Sequence, residues 1–204
     1  RRRSAIAQAR EPSLERVPGL VSVVMANRDY GRYLPQALDS LVAQTYPCLE
    51  VIVVDDGSTD GSPGVFRTWR VHRRPDVPVL YHRLPHNCGY AWAMNFGIAL
   101  AKGEFVAFQD ADDLSRPPRL ERQVTWFREH PDGGLVGTDF VAFEDGRPLQ
   151  RTVPRWLRHG EDVVRCYRAG GHCVSLGTAM VRGTVLDQLG PFNRRCPGAE
   201  DYEL

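Results

Sequence analysis

Between Gly103 and Asp113 the chain reads GEFVAFQDADD, and this stretch limits the folds open to it. Phe105-Val106-Ala107-Phe108 is a short apolar run with aromatic and β-branched members, the pattern of a strand buried on both faces. It ends in three carboxylates within four positions: Asp110, Asp112 and Asp113. In an open α/β sheet the functional crevice lies just beyond the carboxyl ends of such strands. Clustered carboxylates repel one another unless a cation or hydrogen-bond donors compensate. All-oxygen ligands suit Mg²⁺ or Mn²⁺, which commonly share the metal with a substrate's phosphates. The same residues also fit a solvated acidic turn in which one Asp, or Ser115, caps the next helix. Alone, the stretch leaves both readings open.

The preceding chain repeats the pattern. Val21 to Ala26 (VSVVMA) is apolar on both faces and predicts a first strand. Leu34, Ala37, Leu38, Leu41 and Val42 recur at helical spacing, with Pro35 tolerable in a first turn and Pro47 as the stop. Glu50 to Val54 predicts a second strand running into DDGSTDGS, about one βαβ unit later. Ser62 and Pro63 read as the cap and first position of a helix carrying Val65, Phe66 and Trp69. Val77 to Arg83 predicts a third strand. The next helix repeats small residues at Ala93, Gly97 and Ala101, a stripe suited to close packing on a sheet. After the strand at 105–108, Pro117 and Pro118 open a helix to about Glu129, with Leu120, Val124 and Phe127 inward. Alternation of this kind implies an α/β fold: a mostly parallel, right-handed, doubly wound sheet with flanking helices.

The C-terminal half predicts mixed or antiparallel elements. Strands at 134–143 and 149–153 would flank an Asp145-Gly146 hairpin turn. A helix is expected over 161–168, a strand over 175–181 and a short helix over 185–189. Residues 1–19 read as a loosely ordered lead-in and 20–204 as one domain. Because GAEDYEL resembles the start of a helix, that domain is expected to be cut at its C-terminal end.

Composition removes several classes. A net charge of +1 gives no electrostatic case for a nucleic-acid partner. Cys48, Cys88, Cys166, Cys173 and Cys196 have no zinc or redox spacing and read as reduced thiols of a cytoplasmic protein. No apolar run approaches the roughly 20 residues that span a bilayer, so any membrane association is expected to come from regions outside this sequence. No G-x-G-x-x-G follows the first strand, and no G-x-x-x-x-G-K-[ST] loop is present.

Two strand ends therefore carry acidic tips, Asp55-Asp56 and the aspartates from Asp110, both facing one crevice. Together, VSVVMANRDYGRYLPQALDSLVAQTYPCLEVIVVDDGSTDGS and HNCGYAWAMNFGIALAKGEFVAFQDADD resemble the nucleotide-sugar domain of family-2 glycosyltransferases, which have the GT-A fold. The resemblance runs from about Val21 onward and rests on four motifs in order. It implies a sugar-nucleotide donor with Asp112 holding Mg²⁺ or Mn²⁺ on the diphosphate and Asp110 near the ribose. It implies Asp56 at the base, where a carboxylate suits the ring N–H of uracil. Ala26, Asn27, Arg28 and Asp29 would line base and ribose. Glu200-Asp201 resembles the family's pair in which the aspartate is the general base for a hydroxyl acceptor, whether glycan, lipid-linked or other. The implied reaction is a single in-line displacement that inverts the anomeric carbon. Gly177 and Thr178, within GTAM, resemble the acceptor-side segment, and His172 is a further acceptor-side candidate or a structural histidine.

Ala26 and Arg28 stand where the family commonly has Pro and Tyr, and Met94 where Arg is frequent. The resemblance thus carries over neither aromatic stacking on the base nor that phosphate contact. Two other readings stay open. An aspartyl phosphotransferase also places D-x-D after a strand, but usually needs a later lysine, and the only lysine, Lys102, precedes the aspartates. A non-catalytic sugar-nucleotide-binding module would keep Asp56 and Asp112 without needing Asp201.

Overall fold

The apolar runs do form strands with both faces covered. The computed structural model describes residues 15–144, 147–148, 161–169, 171 and 174–192. The order is β1 (Val17–Asn27), α1 (Leu34–Val42), β2 (Leu49–Asp55), α2 (Ser62–Arg73), β3 (Val79–Arg83), α3 (Tyr90–Leu100), β4 (Gly103–Phe108) and α4 (Arg119–Glu129). Then come β5 (Leu135–Val136), β6 (Phe143–Glu144), β7 (Arg147–Pro148), α5 (Glu161–Arg168), a 3₁₀ turn (Leu176–Thr178), β8 (Met180–Arg182) and α6 (Gly183–Leu189).

Six strands make one sheet in the order β3-β2-β1-β4-β8-β5. β1 to β4 are parallel, whereas β8 pairs antiparallel with both β4 and β5. Side chains alternate between two cores. Val21, Val23, Met25, Val51, Phe105 and Ala107 pack with residues of α1, α2 and α4, including Leu38, Trp69 and Phe127. Val24, Ile52, Val54, Val106 and Phe108 pack with Ala93 and Met94 of α3 and Leu186 of α6. With α1 and α2 on one face and α3 on the other, the strand order reverses beside β1. The open crevice of a doubly wound sheet lies at that reversal, at the carboxyl ends of β1 and β4.

Several expectations need correction. The lead-in does not extend to Gly19: Val17 N–H donates to Lys102 O (2.8 Å) and Gly19 N–H to Glu104 Oε2 (2.7 Å), which zips 17–19 into β1. Gly61, rather than Ser62, occupies the cap position of α2. The strand expected over 134–143 is reduced to Leu135–Val136 in the main sheet, with Phe143 opening β6, because its partner β8 has only three residues and Gly137 lies close against Val174. The strand expected over 175–181 begins at Met180. Before it, Thr178 N–H and Oγ1 both bond Ser175 O (2.9 and 2.8 Å), and this local bonding favours a turn over a ladder. β6 and β7 pair around the Asp145-Gly146 position, which itself lies outside the described residues, as does the strand expected over 149–153.

The small-residue stripe packs as expected. A Cβ on Gly97 would lie 2.4 Å from Val24 Cγ1, a stiff and fully buried side chain. Gly97→Ala should therefore destabilise the fold. Overpacking costs about 1–3 kcal/mol and exceeds the ~1 kcal/mol gained in helix propensity. A lower midpoint in urea denaturation checks this, and a raised one contradicts it.

Candidate active site

The carboxyl ends of β1, β2 and β4 converge because register fixes them. Asn27 pairs with Asp55, and Val24 pairs with Phe108 one strand over. From this platform the two acidic tips take different roles. Asp55 is buried and spent inside the protein, accepting from Ser58 N–H (2.7 Å), the Tyr81 hydroxyl and Asn27 Nδ2 (3.4 Å). Burial, reinforced by the bond to Asp55, raises the Tyr81 hydroxyl above its ordinary value. Asp56, 3% exposed, accepts Cys88 N–H (2.6 Å) and Gly89 N–H (3.0 Å) just ahead of α3. Its backbone takes part as well: Asp56 N–H donates to Asn27 O (2.8 Å), and Arg28 Nη1 donates to Asp56 O (2.7 Å).

The loop after β1 is held in the same way. Asp29 has φ +57°, a left-handed conformation that Asp tolerates better than most residues. Its carboxylate accepts Thr59 N–H (2.6 Å) and Asp60 N–H (3.2 Å). Asp60 in turn accepts Gly31 N–H (2.8 Å) and both the N–H and the hydroxyl of Ser62. Desolvation pushes the Asp60 carboxyl upward, but these bonds prevail and leave it below the usual range. Asn27 Oδ1 is buried with no partner among the described residues.

Beyond β4 a turn closed by Asp113 N–H donating to Asp110 O (3.2 Å) carries Asp110, Asp112 and Asp113. The Tyr90 hydroxyl donates weakly to Asp110 Oδ1 (3.5 Å). The first turn of α3 thus spans both acidic tips, with Gly89 on Asp56 and Tyr90 on Asp110. Burial and then the Asp112 charge raise Asp110. Asp113 keeps an open side to solvent, yet desolvation by adjoining protein, then Asp110 and Asp112, push its carboxyl up to about 6. Asp112 is exposed and, among the described residues, makes no hydrogen bond or ion pair. The acids do not cap the next helix: Pro118 occupies the cap position of α4 and no side chain bonds there.

Gly177 lies directly against this loop. A Cβ there would come within 2.7 Å of Asp110 Oδ2 and 3.3 Å of Asp113 Oδ2. The acceptor-side candidates therefore meet the carboxylate loop, although the Thr178 side chain is spent on Ser175 O and on accepting Thr138 N–H. Glu200, Asp201 and His172 lie outside the described residues.

The donor set suits a hard divalent cation. It is all oxygen, and two of the carboxyls are raised partly by mutual repulsion that a cation would relieve. Among the described residues no three acidic, histidine or cysteine side chains converge on one metal position. A cation here would be completed by ligand phosphates or by residues beyond those described.

Arg119 and Gln123 escaped the sequence reading. Both are buried under the loop, and they follow the helical spacing of Leu120, Val124 and Phe127. Polar residues interrupting the inward stripe of α4 were the available signal.

The sheet order and flanking helices define the fold class, the GT-A architecture. The sequence profile described as Glycosyl transferase family 2 matches residues 22–190, and the chain belongs to that family. A relative in Bacillus subtilis (strain 168), provisionally described as the glycosyltransferase EpsE, is 33% identical over 187 residues, 90% of this chain and 64% of that protein. The mannosyltransferase PcManGT of Pyrobaculum calidifontis, solved with GDP-Man and Mn²⁺, superposes with TM-score 0.68 at 27% identity, covering 89% of this chain and 49% of the other. TarS 1-349 of S. aureus in complex with UDP-GlcNAc also gives 0.68, at 24% identity, over 89% and 51%. The chain spans less than two thirds of the length of each.

Asp113 generates a pH prediction. Its folded value of about 6 exceeds the ordinary 3.8, so between these values the native state holds a proton that the unfolded state has lost. Stability should then fall as pH rises through that window. In EDTA, the melting temperature of Asp113→Asn should fall less between pH 4 and 6 than that of wild type. Equal slopes would contradict the assignment.

Proposed function

We propose that this chain forms the donor-binding domain of a metal-dependent, inverting glycosyltransferase. It would move a sugar from a nucleotide-sugar donor, a UDP-sugar in the first instance, to a hydroxyl acceptor. One observation carries the reading: the first turn of α3 joins two acidic strand tips over the crevice, leaving the exposed carboxylates of Asp112 and its neighbour Asp113 without a hydrogen-bond or ion-pair partner among the described residues. A side chain held ready and uncommitted suits a ligand atom better than a scaffold.

The chain's own residues divide the work. Asp56 meets the base with the lone pairs not spent on Cys88 and Gly89, since a carboxylate offers about four acceptor positions. Asn27, Arg28 and Asp29, fixed to the Asp56 and Ser58-to-Asp60 backbone, line the base and ribose together with Ala26. Asp110 orients the ribose, and Asp112 reaches the diphosphate. Mg²⁺ or Mn²⁺ held there would neutralise charge gathering on the departing diphosphate. Asp201 takes the acceptor proton, because a hydroxyl is a poor nucleophile until deprotonated in the transition state. Gly177 and, by family resemblance, Glu200 would serve the acceptor side. PcManGT with GDP-Man and Mn²⁺ and TarS with UDP-GlcNAc support this donor class. The setting proposed is surface polysaccharide or glycan assembly on the cytoplasmic side.

A nucleoside diphosphate with Mn²⁺ at about 100 times its Kd should stabilise the protein by about 2.7 kcal/mol, hence raise its Tm by roughly 5–10 °C. Asp112→Ala should abolish the shift. No shift of the wild type with UDP, GDP, ADP or CDP would refute the reading. A binding module that does not catalyse would shift equally, but its full-length form would show the same donor turnover with Asp201→Asn as without it. The catalytic reading expects a loss of at least about a hundredfold, in keeping with removal of a general base.

A further inference from the structure

Arg119 is a buried cation with no carboxylate in hydrogen-bond contact among the described residues, an arrangement that costs free energy unless the charge is used. Its five N–H groups, the full capacity of a guanidinium, all find oxygens. Nε donates to Gln123 Oε1 (3.3 Å), Nη1 to Ser115 Oγ (2.8 Å) and Gln109 Oε1 (3.3 Å), and Nη2 to Phe108 O (2.7 Å) and Ala179 O (3.5 Å). Phe108, Gln109 and Ser115 begin and end the carboxylate loop. Gln109 also reaches into it, donating Nε2 to Asp113 O (3.1 Å). On the other side, Gln123 Nε2 donates to Thr178 O (2.9 Å) and Val136 O (3.1 Å). Arg119 and Gln123, one turn apart on α4, therefore bracket two segments distant in sequence: the carboxylate loop and the turn that carries Gly177.

We propose that Arg119, seconded by Gln123, is a positioning residue for the transfer, holding the donor's carboxylate loop and the acceptor-side turn in one fixed register. This rests on the functional reading above. The guanidinium suits the task because its planar fork binds several oxygens at set angles, which a lysine ammonium cannot do. Asp113 and Asp110 supply the compensating field, although burial still lowers Arg119 to about 10. The fork touches neither Asp112 nor the Asp56 loop. Its loss should misalign the reacting groups while leaving donor binding largely in place. Register errors of about 1 Å cost on the order of a hundredfold in rate.

The test combines hydrogen exchange with kinetics on the full-length protein, comparing wild type, Arg119→Lys and Gln123→Met. In Arg119→Lys, peptides covering 108–115 and 174–181 should both exchange at least about tenfold faster. The Kd for UDP with Mn²⁺ should stay within about threefold, and kcat should fall about ten- to a hundredfold. In Gln123→Met the faster exchange should be confined to 174–181, again with a fall in kcat. Faster exchange in only one segment of Arg119→Lys would overturn the proposal. So would a lowered Tm with kcat and KM unchanged, the mark of a merely structural residue. If Arg119→Lys does not fold, Gln123→Met decides: a reduced kcat at unchanged Kd supports the bracket, and an unchanged kcat refutes it. Should wild type bind no nucleotide, the functional reading fails, and the paired exchange response still tests the bracket itself.

Discussion

A carboxylate accepting two backbone N–H groups ahead of a helix organises this protein. Asp56, almost wholly buried, accepts Cys88 N–H and Gly89 N–H just before α3, where the partial positive end of the helix favours an anion. That contact ties the end of β2 to α3, and α3 returns the chain to β4 on the opposite face of the sheet. From there the Tyr90 hydroxyl reaches Asp110. The crevice is therefore a consequence of helix placement, and helix placement depends on close approach at Gly97.

Charge is distributed around this frame with few unmet demands. Acids beyond the ends of β1 and β2 are satisfied by N–H groups: Asp55 by Ser58, Asp29 by Thr59 and Asp60, Asp60 by Gly31 and Ser62. Around β4, burial first and then the neighbouring carboxylate charges make Asp110 and Asp113 hold protons more tightly than a free Asp. Arg119 answers part of that repulsion from below. The tension left over is what a cation with a diphosphate would relieve.

Much of this was written in the sequence, for identifiable reasons. Strands covered on both faces must be continuously apolar, so VSVVMA, VIVV and FVAF announced themselves, and the acids at their ends marked the crevice. The 134–143 and 175–181 segments misled because β-branched and aromatic composition speaks only to propensity. Packing of Gly137 against Val174, and the bonds of Thr178 to Ser175, decided the outcome locally. Arg119 and Gln123 were missed because polar residues on a helix suggest solvent. Only the fold reveals that their side chains turn inward to backbone oxygens. Glu200 and Asp201 follow from resemblance alone.

The sheet is lopsided. On one side of β4 stand strands of eleven and seven residues, while on the other β8 has three and β5 two. Short ladders open at lower free energy than long ones. The half built on β1 and β2 can thus remain intact while the flank of β8 and β5 loosens. Under the proposed function, one stiff half and one pliant half would let mutation explore new sugar-receiving molecules without endangering the half that holds the activated sugar.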